Sequence, residues 1–406
     1  MAGLQASRKC SQPVKVAPLS ESAGALSAGV IQGFDRINKK ASFSGAKPLW
    51  LAQGKINKKG ERSVKRPYTV GIDLHKHSFT YVALDPHGHI SRRQKVAIQA
   101  QSVERFLQQL PQRSETTLEA TSNWGWLADA LQDRGHRVHL AHPLKVKVIA
   151  ECRAKTDKVD AEVLARLTAV GWLPEAYLAP AAVRQYRRLL RHRTALVAQR
   201  TQLKNRVRAL LAQYPFVEVE LSRAFSQKSR RALRQIELPQ GDQRCLNSLL
   251  DTMDALDERI QEAEGWIEDH MPENVQADRI RQIPGIGLIL AHTIISEIGD
   301  IQRFKSAKAL CSFAGLVPTV RASAEHVFYG RLTKQGSRWL RWALIEAAVH
   351  AAGHVPQWKS SYESLKARKG RKAARVEIAR KIAKAIYHML KEERDFCTQQ
   401  SDRFCR

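Results

Sequence analysis

From Tyr68 onward, apolar and polar positions fall into short blocks that match strands and helices in turn. Tyr68–Asp73 (YTVGID) and Ser78–Asp85 (SFTYVALD) are rich in β-branched and aromatic residues and predict two strands. The turn Pro86-His87-Gly88 leads into a third, Ile90–Ile98. Connections this short make the three antiparallel. The period then lengthens to that of a helix at Val103–Leu110. A strand follows at Thr116–Ala120, a helix at Trp124–Arg134 closed by Gly135, and a strand at Arg137–Ala141. Helical pattern resumes at Lys145 and again over Asp157–Val170. The order predicts a mixed sheet with helices on its faces, an arrangement that suits a ribonuclease-H-like α/β fold.

Residues 183–270 repeat differently. Leu189, Leu196, Leu203 and Leu210 recur every seven residues. Leu246, Leu249, Met253, Leu256, Ile260, Ala263 and Ile267 alternate steps of three and four. Both are heptad patterns, predicting two long helices that pair as an antiparallel coiled-coil hairpin or with a second subunit. Beyond Gln282, in IPGIGLILAHTIISEIG, Pro284-Gly285-Ile286-Gly287 stands between two helical patterns like the turn of a helix-hairpin-helix module. Such glycines let backbone N–H groups approach a phosphate at a helix start, though they serve close packing equally well. Further helices are expected at Lys305–Ala314, Ser337–Ala352 and Val376–Lys391. Residues 1–66 are rich in Ser, Gly and Ala, carry 13 basic against 3 acidic residues and show no lasting period. That composition predicts a disordered basic tail. The expected divisions are therefore a tail (1–66), an α/β domain (67–178), coiled-coil helices (179–272) and a mostly helical C-terminal domain (273–406).

Charge narrows the choice of partner. The 406 residues hold 67 Lys and Arg against 39 Asp and Glu, a net +28, and +18 remains without the tail. An excess of that size points to a polyanion, nucleic acid first, and excludes a binder of cationic ligands. Hydrophobic residues at 43% exclude a wholly disordered chain. No apolar run approaches the ~18 residues of a membrane span, and no cleavable signal pattern opens the chain. The six cysteines are scattered without a C-x-x-C pair, which argues against a zinc ribbon and suits free thiols in a reducing cytosol. Two stretches concentrate the charge. Residues 184–208 carry nine Arg and Lys and no acid, predicting a helix face against phosphate; residues 359–391 carry eleven basic and two acidic residues.

Two constellations could carry chemistry. Asp73 ends an apolar strand, where a carboxylate costs free energy unless paired or bound to a cation. Glu119 ends another strand, and Asp157 and Asp160 sit three apart at a helix start, so both can face one way. Four carboxylates from separate elements can converge on Mg²⁺, which favours oxygen ligands and can activate one oxygen while stabilising another at a phosphate. Asp157 and Asp160 fit a helix cap as well. The second constellation is the polar, glycine-bearing segment Gly315–Leu344, where Arg321, Arg331, Lys334, Arg338 and Arg341 surround one hydroxyl among several, Ser323. Neighbouring cations can make a serine a useful nucleophile towards phosphate. The histidine pairs His75-x-His77, His87-x-His89 and His139-x-x-His142 lack further ligands at zinc spacing. There is no GxxxxGK[ST] loop, which excludes an ATP-driven motor of that type.

Four stretches together resemble a known family: VGIDLHKHSF around Asp73, LEAT around Glu119, AKTDKVDAEVLARL around Asp157 and Asp160, and IPGIG…SEIGDIQRFKSAKALCSFAGLVP…LTKQGSRWLRWALIEAA. They are similar, in order and separation, to the DEDD-type insertion-sequence transposases guided by a bridge RNA, whose relatives include pilin-inverting recombinases. The resemblance spans most of residues 68–391. It implies a RuvC-like nuclease domain, a coiled-coil segment and a C-terminal transposase domain acting on donor and target DNA in the bacterial cytoplasm. It maps the Mg²⁺-holding acids onto Asp73, Glu119, Asp157 and Asp160 and the nucleophile onto Ser323, followed here by Ala324 where the family usually has Gly. It also implies a noncoding guide RNA, and dimers that assemble into tetramers joining one subunit's acids to another's serine. Nucleic-acid contacts are expected from Gly285, Gly287, Arg321, Arg331, Lys334 and Arg338. Two rival expectations are a RuvC-like junction nuclease using water and a decayed transposase that only binds nucleic acid.

Overall fold

The computed structural model describes residues 67–149, 157–215, 225–270, 274–323 and 326–397; the expected tail lies outside them. The chain forms two compact units, one ending at Glu175 without residues 125–129, the other comprising those and the remainder.

The first unit is built on a sheet of order β3-β2-β1-β4-β5-β6, from β1 (Thr69–Leu74), β2 (Ser78–Leu84), β3 (Ile90–Ala97), β4 (Glu115–Glu119), β5 (Arg137–Ala141) and the short β6 (Glu175–Ala176). β1 pairs antiparallel with β2, and β2 with β3, while β4 lies parallel to β1 and β5 parallel to β4. Between the strands come α1 (Ala100–Gln109), α2 (Gly125–Asp133), α3 (Pro143–Ile149) and α4 (Asp157–Ala169). Strand alternation sorts the faces. Phe79 and Tyr81 of β2 meet Phe106 of α1 with ring centroids 4.8 and 4.7 Å apart. Val82 and Leu84, on the opposite face, pack with Ala161 and Ala165 of α4.

α4 lies very close to β1. A Cβ at Gly71 would overlap the carbonyl oxygen of Ala161 and stand 2.5 Å from the amide nitrogen of Ala165. Thr168 and Ala169 line a small cavity with Thr69 and Glu115 at the start of β1 and β4. The helix therefore runs antiparallel to β1, with its first turn at the strand's C-terminal end.

In the second unit α5 (Ala181–Leu211) packs against α7 (Gln240–Asp269), with α6 (Gln227–Arg234) beside them. The buried centre is Val207, Leu211, Leu233, Leu246, Leu250 and Met253. On α7 five of the seven expected seam residues are buried: Leu246, Met253, Ile260, Ala263 and Ile267. On α5 the expected Leu189, Leu196, Leu203 and Leu210 are only half-buried, and Leu190, Val207 and Leu211 lie deepest. A straight helix drifts against a seven-residue repeat, and Leu233 of α6 enters the same core, so the seam shifts by one position.

The expectation of a phosphate-facing α5 is corrected in part. Arg184 pairs with Asp129 at 2.5 Å, Arg193 with Glu264 at 2.6 Å and Arg200 with Asp257 at 2.5 Å, while Arg187 donates to the Ser296 carbonyl at 2.7 Å. Buried Arg230 of α6 bridges Asp254 and Asp257 of α7. Much of this positive charge binds helices to one another rather than facing outward.

Among the described residues the further helices are α8 (Val275–Arg281), α9 (Leu288–Ile298), α10 (Ala307–Phe313), α11 (Arg338–His354) and α12 (Pro356–Lys391), with a 3-10 turn at Ile301–Arg303. They share one large core containing Ile294, Ile298, Leu344, Trp358, Ile382 and Ile386. α12 starts twenty residues before the expected helix and is broken at Gly370. Segment 315–344 contains a hairpin that the sequence did not suggest: β7 (Pro318–Ser323) pairs antiparallel with β8 (His326–Leu332). Cys245, Cys311 and Cys397 are free thiols, and burial pushes the Cys311 thiol up in pKa.

Two glycines yield testable consequences. Gly71→Ala forces α4 off β1 and is expected to cost about 3 kcal/mol or more; an unchanged thermal midpoint for the full chain would contradict that packing. Gly285, at φ +90°, would place a Cβ 2.8 Å from the Ala347 carbonyl oxygen, whereas a Cβ at Gly287 meets nothing within 4 Å. Gly285→Ala should therefore lower the thermal midpoint while Gly287→Ala leaves it unchanged, as differential scanning fluorimetry would show.

Candidate active site

Register and face place the acids. Gly71 of β1 is level with Val82 of β2 and Thr117 of β4. All three point toward α4, since Val82 packs on it and Thr117 hydrogen-bonds Thr168 at 2.6 Å. Two residues on, Asp73 takes the same face, level with Thr80. Ile72 is level with Leu118, so Glu119 lies beside Asp73 and, two residues beyond Thr117, also on the α4 face. The antiparallel run of α4 brings its first turn, holding Asp157 and Asp160, to the same edge. The Asp157 side chain lies outside the described residues; Asp160 is half-buried.

Asp73 and Glu119 thus share one face at the C-terminal edge of the parallel strands, where ligands of open α/β sheets bind, and the first turn of α4 reaches the same edge. Asp73 is buried, and His75 Nε2 stands 3.0 Å from its Oδ2. Asn123 holds the loop by donating to the His75 carbonyl at 3.1 Å. The donor set is carboxylate oxygen, the chemistry that suits Mg²⁺. Among the described residues no three His, Cys, Asp or Glu side chains form a ready-made metal cluster. The His139-x-x-His142 pair is not a ligand pair here: His139 Nδ1 lies 2.7 Å from Glu175 Oε1, and this hydrogen bond holds the Glu175 carboxyl below the usual range.

Ser323 and the expected cations belong to the second unit. Ser323 is the last residue of β7, level with His326 of β8; the side chains of Arg321 and Ser323 lie outside the described residues. Arg331, Lys334 and Arg338 are exposed at the base of this hairpin. That base is held firmly. Arg341 donates to the carbonyls of Ala314 and Lys334, both at 3.2 Å, and burial lowers its pKa. Gly285 approaches the backbone of α11 rather than an open surface, so packing accounts for it; Gly287 caps α9.

Sequence reasoning missed Glu297. It is buried on α9, paired with Arg191 of α5 (Nε at 3.1 Å), and accepts from Ser337 Oγ at 2.9 Å. Ser337 in turn caps α11, just past the hairpin. A lone acid inside the apolar run ILAHTIISEIG was the available clue.

Comparison with known proteins agrees with this architecture. Residues 277–363 match the family described as Transposase IS116/IS110/IS902, and residues 70–216 match a DEDD transposase domain of the IS110 type. A probable family 20 transposase of Pseudomonas aeruginosa is 27% identical over 80% of this chain and 97% of its own length. The transposase for insertion sequence element IS1111A of Coxiella burnetii is 27% identical over 84% and 94%. The pilin gene-inverting protein of Moraxella lacunata is 26% identical over 69% and 80%. With both domains matched in order, the first carrying the acid-lined sheet edge and the second the Ser323 hairpin, the chain belongs to the IS110/IS116 family of transposases.

Proposed function

We propose that this chain cuts and rejoins DNA strands to move an insertion sequence, with Asp73, Glu119, Asp157 and Asp160 as its acid set and Ser323 as its nucleophile. The convergence of Asp73, Glu119 and the first turn of α4 on one face of one sheet edge carries the reading. The strand order, three antiparallel and then two parallel, supports a RuvC-like domain. The paired α5 and α7 support a coiled-coil segment.

Bound there, Mg²⁺ would supply Lewis-acid stabilisation of charge at the scissile phosphate. The carboxylates hold that position by their oxygen donors, and closure of α4 over β1 keeps solvent from the Asp73 side of it. Ser323 Oγ forms the new ester bond to phosphorus as the strand's bridging oxygen leaves and takes a proton. Attack by a second strand's hydroxyl reverses the step and frees the serine. Each exchange conserves a phosphodiester, so no nucleotide hydrolysis is required.

The partners are donor and target DNA and a noncoding guide RNA. Base pairing then reads sequence while the protein's net +28 supplies backbone contacts. The assembly proposed is a dimer that forms a tetramer, in which one copy's serine meets another's acids. Among the described residues no helix is long and apolar enough to cross a membrane, in keeping with a cytoplasmic, nucleoid-associated site of action.

Asp73→Asn and Ser323→Ala should each reduce excision of a cognate element by roughly 100-fold or more while guide-RNA binding persists. A denaturing gel of trapped reactions should show a protein–DNA adduct in the wild type and none in Ser323→Ala. Cleavage without an adduct in the wild type would instead mean water attack. An adduct in Ser323→Ala would mean another nucleophile.

A further inference from the structure

α12 is not one rod. Lys381 Nζ donates to Ser361 Oγ at 2.6 Å. In a straight helix these positions stand about 30 Å apart. The chain therefore turns back on itself at Gly370, whose φ is +81° and ψ 168°. No atom lies within 4 Å of the place a Cβ would occupy, so glycine serves the backbone conformation there and not packing. The result is a helical hairpin whose tip stands roughly 14 Å beyond the Ser361–Lys381 contact. Its root is fixed, because Trp358 on one arm and Ala374, Ile378 and Ile382 on the other are buried.

Charge is sorted along this finger. Near the root, cations are paired: Lys366 with Glu363 at 2.9 Å and Arg380 with Glu377 at 3.0 Å. Between Glu363 and Glu377 there is no acid. Arg368, Lys369, Arg371, Lys372 and Arg375 are exposed around the bend, and among the described residues none of them has an ion-pair partner. Like charges this close destabilise a helix unless an anion is near. On α5 four cations, Arg184, Arg191, Arg193 and Arg200, meet carboxylates of the protein; around this bend none is supplied among the described residues. The family match ends at residue 363, before the tip.

We propose that this finger grips the sugar-phosphate backbone of duplex DNA. The tip, residues 367–376, carries no aromatic residue on which an unpaired base would stack, so a paired backbone suits it better than a single strand. Duplex DNA offers a phosphate about every 1.7 Å of its axis, dense enough to meet four or five cations at once. The inference rests on the family's DNA chemistry but not on Ser323 or the acid set, and its test involves no cleavage.

The full-length chain and its R368Q/K369Q/R371Q/K372Q variant are titrated with a mixed-sequence DNA duplex by fluorescence anisotropy across a salt series. At about 0.9 per phosphate contact, the slope of log affinity against log salt should become shallower by about 3.6 in the variant, with affinity at least tenfold weaker at low salt. The charge-preserving variant R368K/K369R/R371K/K372R should behave as wild type. An unchanged slope and affinity, a loss confined to duplex RNA of the same length, or an equal loss in the charge-preserving variant would each overturn the proposal.

Discussion

The first unit depends on one contact made without a side chain. Because position 71 has no Cβ, the backbone of α4 settles directly onto β1 at Ala161 and Ala165. That depth sets everything at the sheet edge. It fixes the helix antiparallel to the strand and lays its first turn beside Asp73 and Glu119. The N-terminal end of a helix carries partial positive charge, which favours carboxylates gathered around it. A buried Asp73 on an apolar strand is costly to keep, and the His75 contact reduces that cost.

The second unit is organised by arginine. Arg187 and Arg191 of α5 tie that helix to Ser296 and Glu297 of α9, and Glu297 reaches on to Ser337 at the cap of α11. A continuous polar chain thus runs from the long helix to the foot of the Ser323 hairpin. Around α7, Arg200 and Arg230 share Asp257. Partly buried pairs of this kind contribute less to stability than to fixing which helix face meets which, since desolvation offsets part of their attraction. Net charge is accordingly a poor map of where phosphate binds: the cations of α5 are largely spent on structure.

The strands and helices around Asp73 and Glu119 were readable because apolar periodicity, Pro86-His87-Gly88 and Gly135 agree with the tertiary arrangement. Asp73 and Glu119 stood out in the sequence because carboxylates at the ends of apolar strands are unusual. What sequence could not supply was depth. Nothing in VGID distinguishes a glycine that admits a helix from one in a plain strand, nor in PGIG a packing glycine from a phosphate-binding one. The β7–β8 hairpin escaped notice because its apolar residues do not face a core: Val320 and Tyr329 are 55% and 72% exposed. The α12 turn-back escaped because Ala, Arg and Lys on both sides of Gly370 read as one continuous helix.

The central claim is that the acids on this sheet edge form one cation site. Titrating the full-length protein with Mn²⁺ and measuring free ion by electron paramagnetic resonance tests it without any cleavage reaction. The account predicts a saturable site in the wild type and in Ser323→Ala that disappears in Asp73→Asn. Equal binding by wild type and Asp73→Asn, or no saturable binding at all, would contradict it.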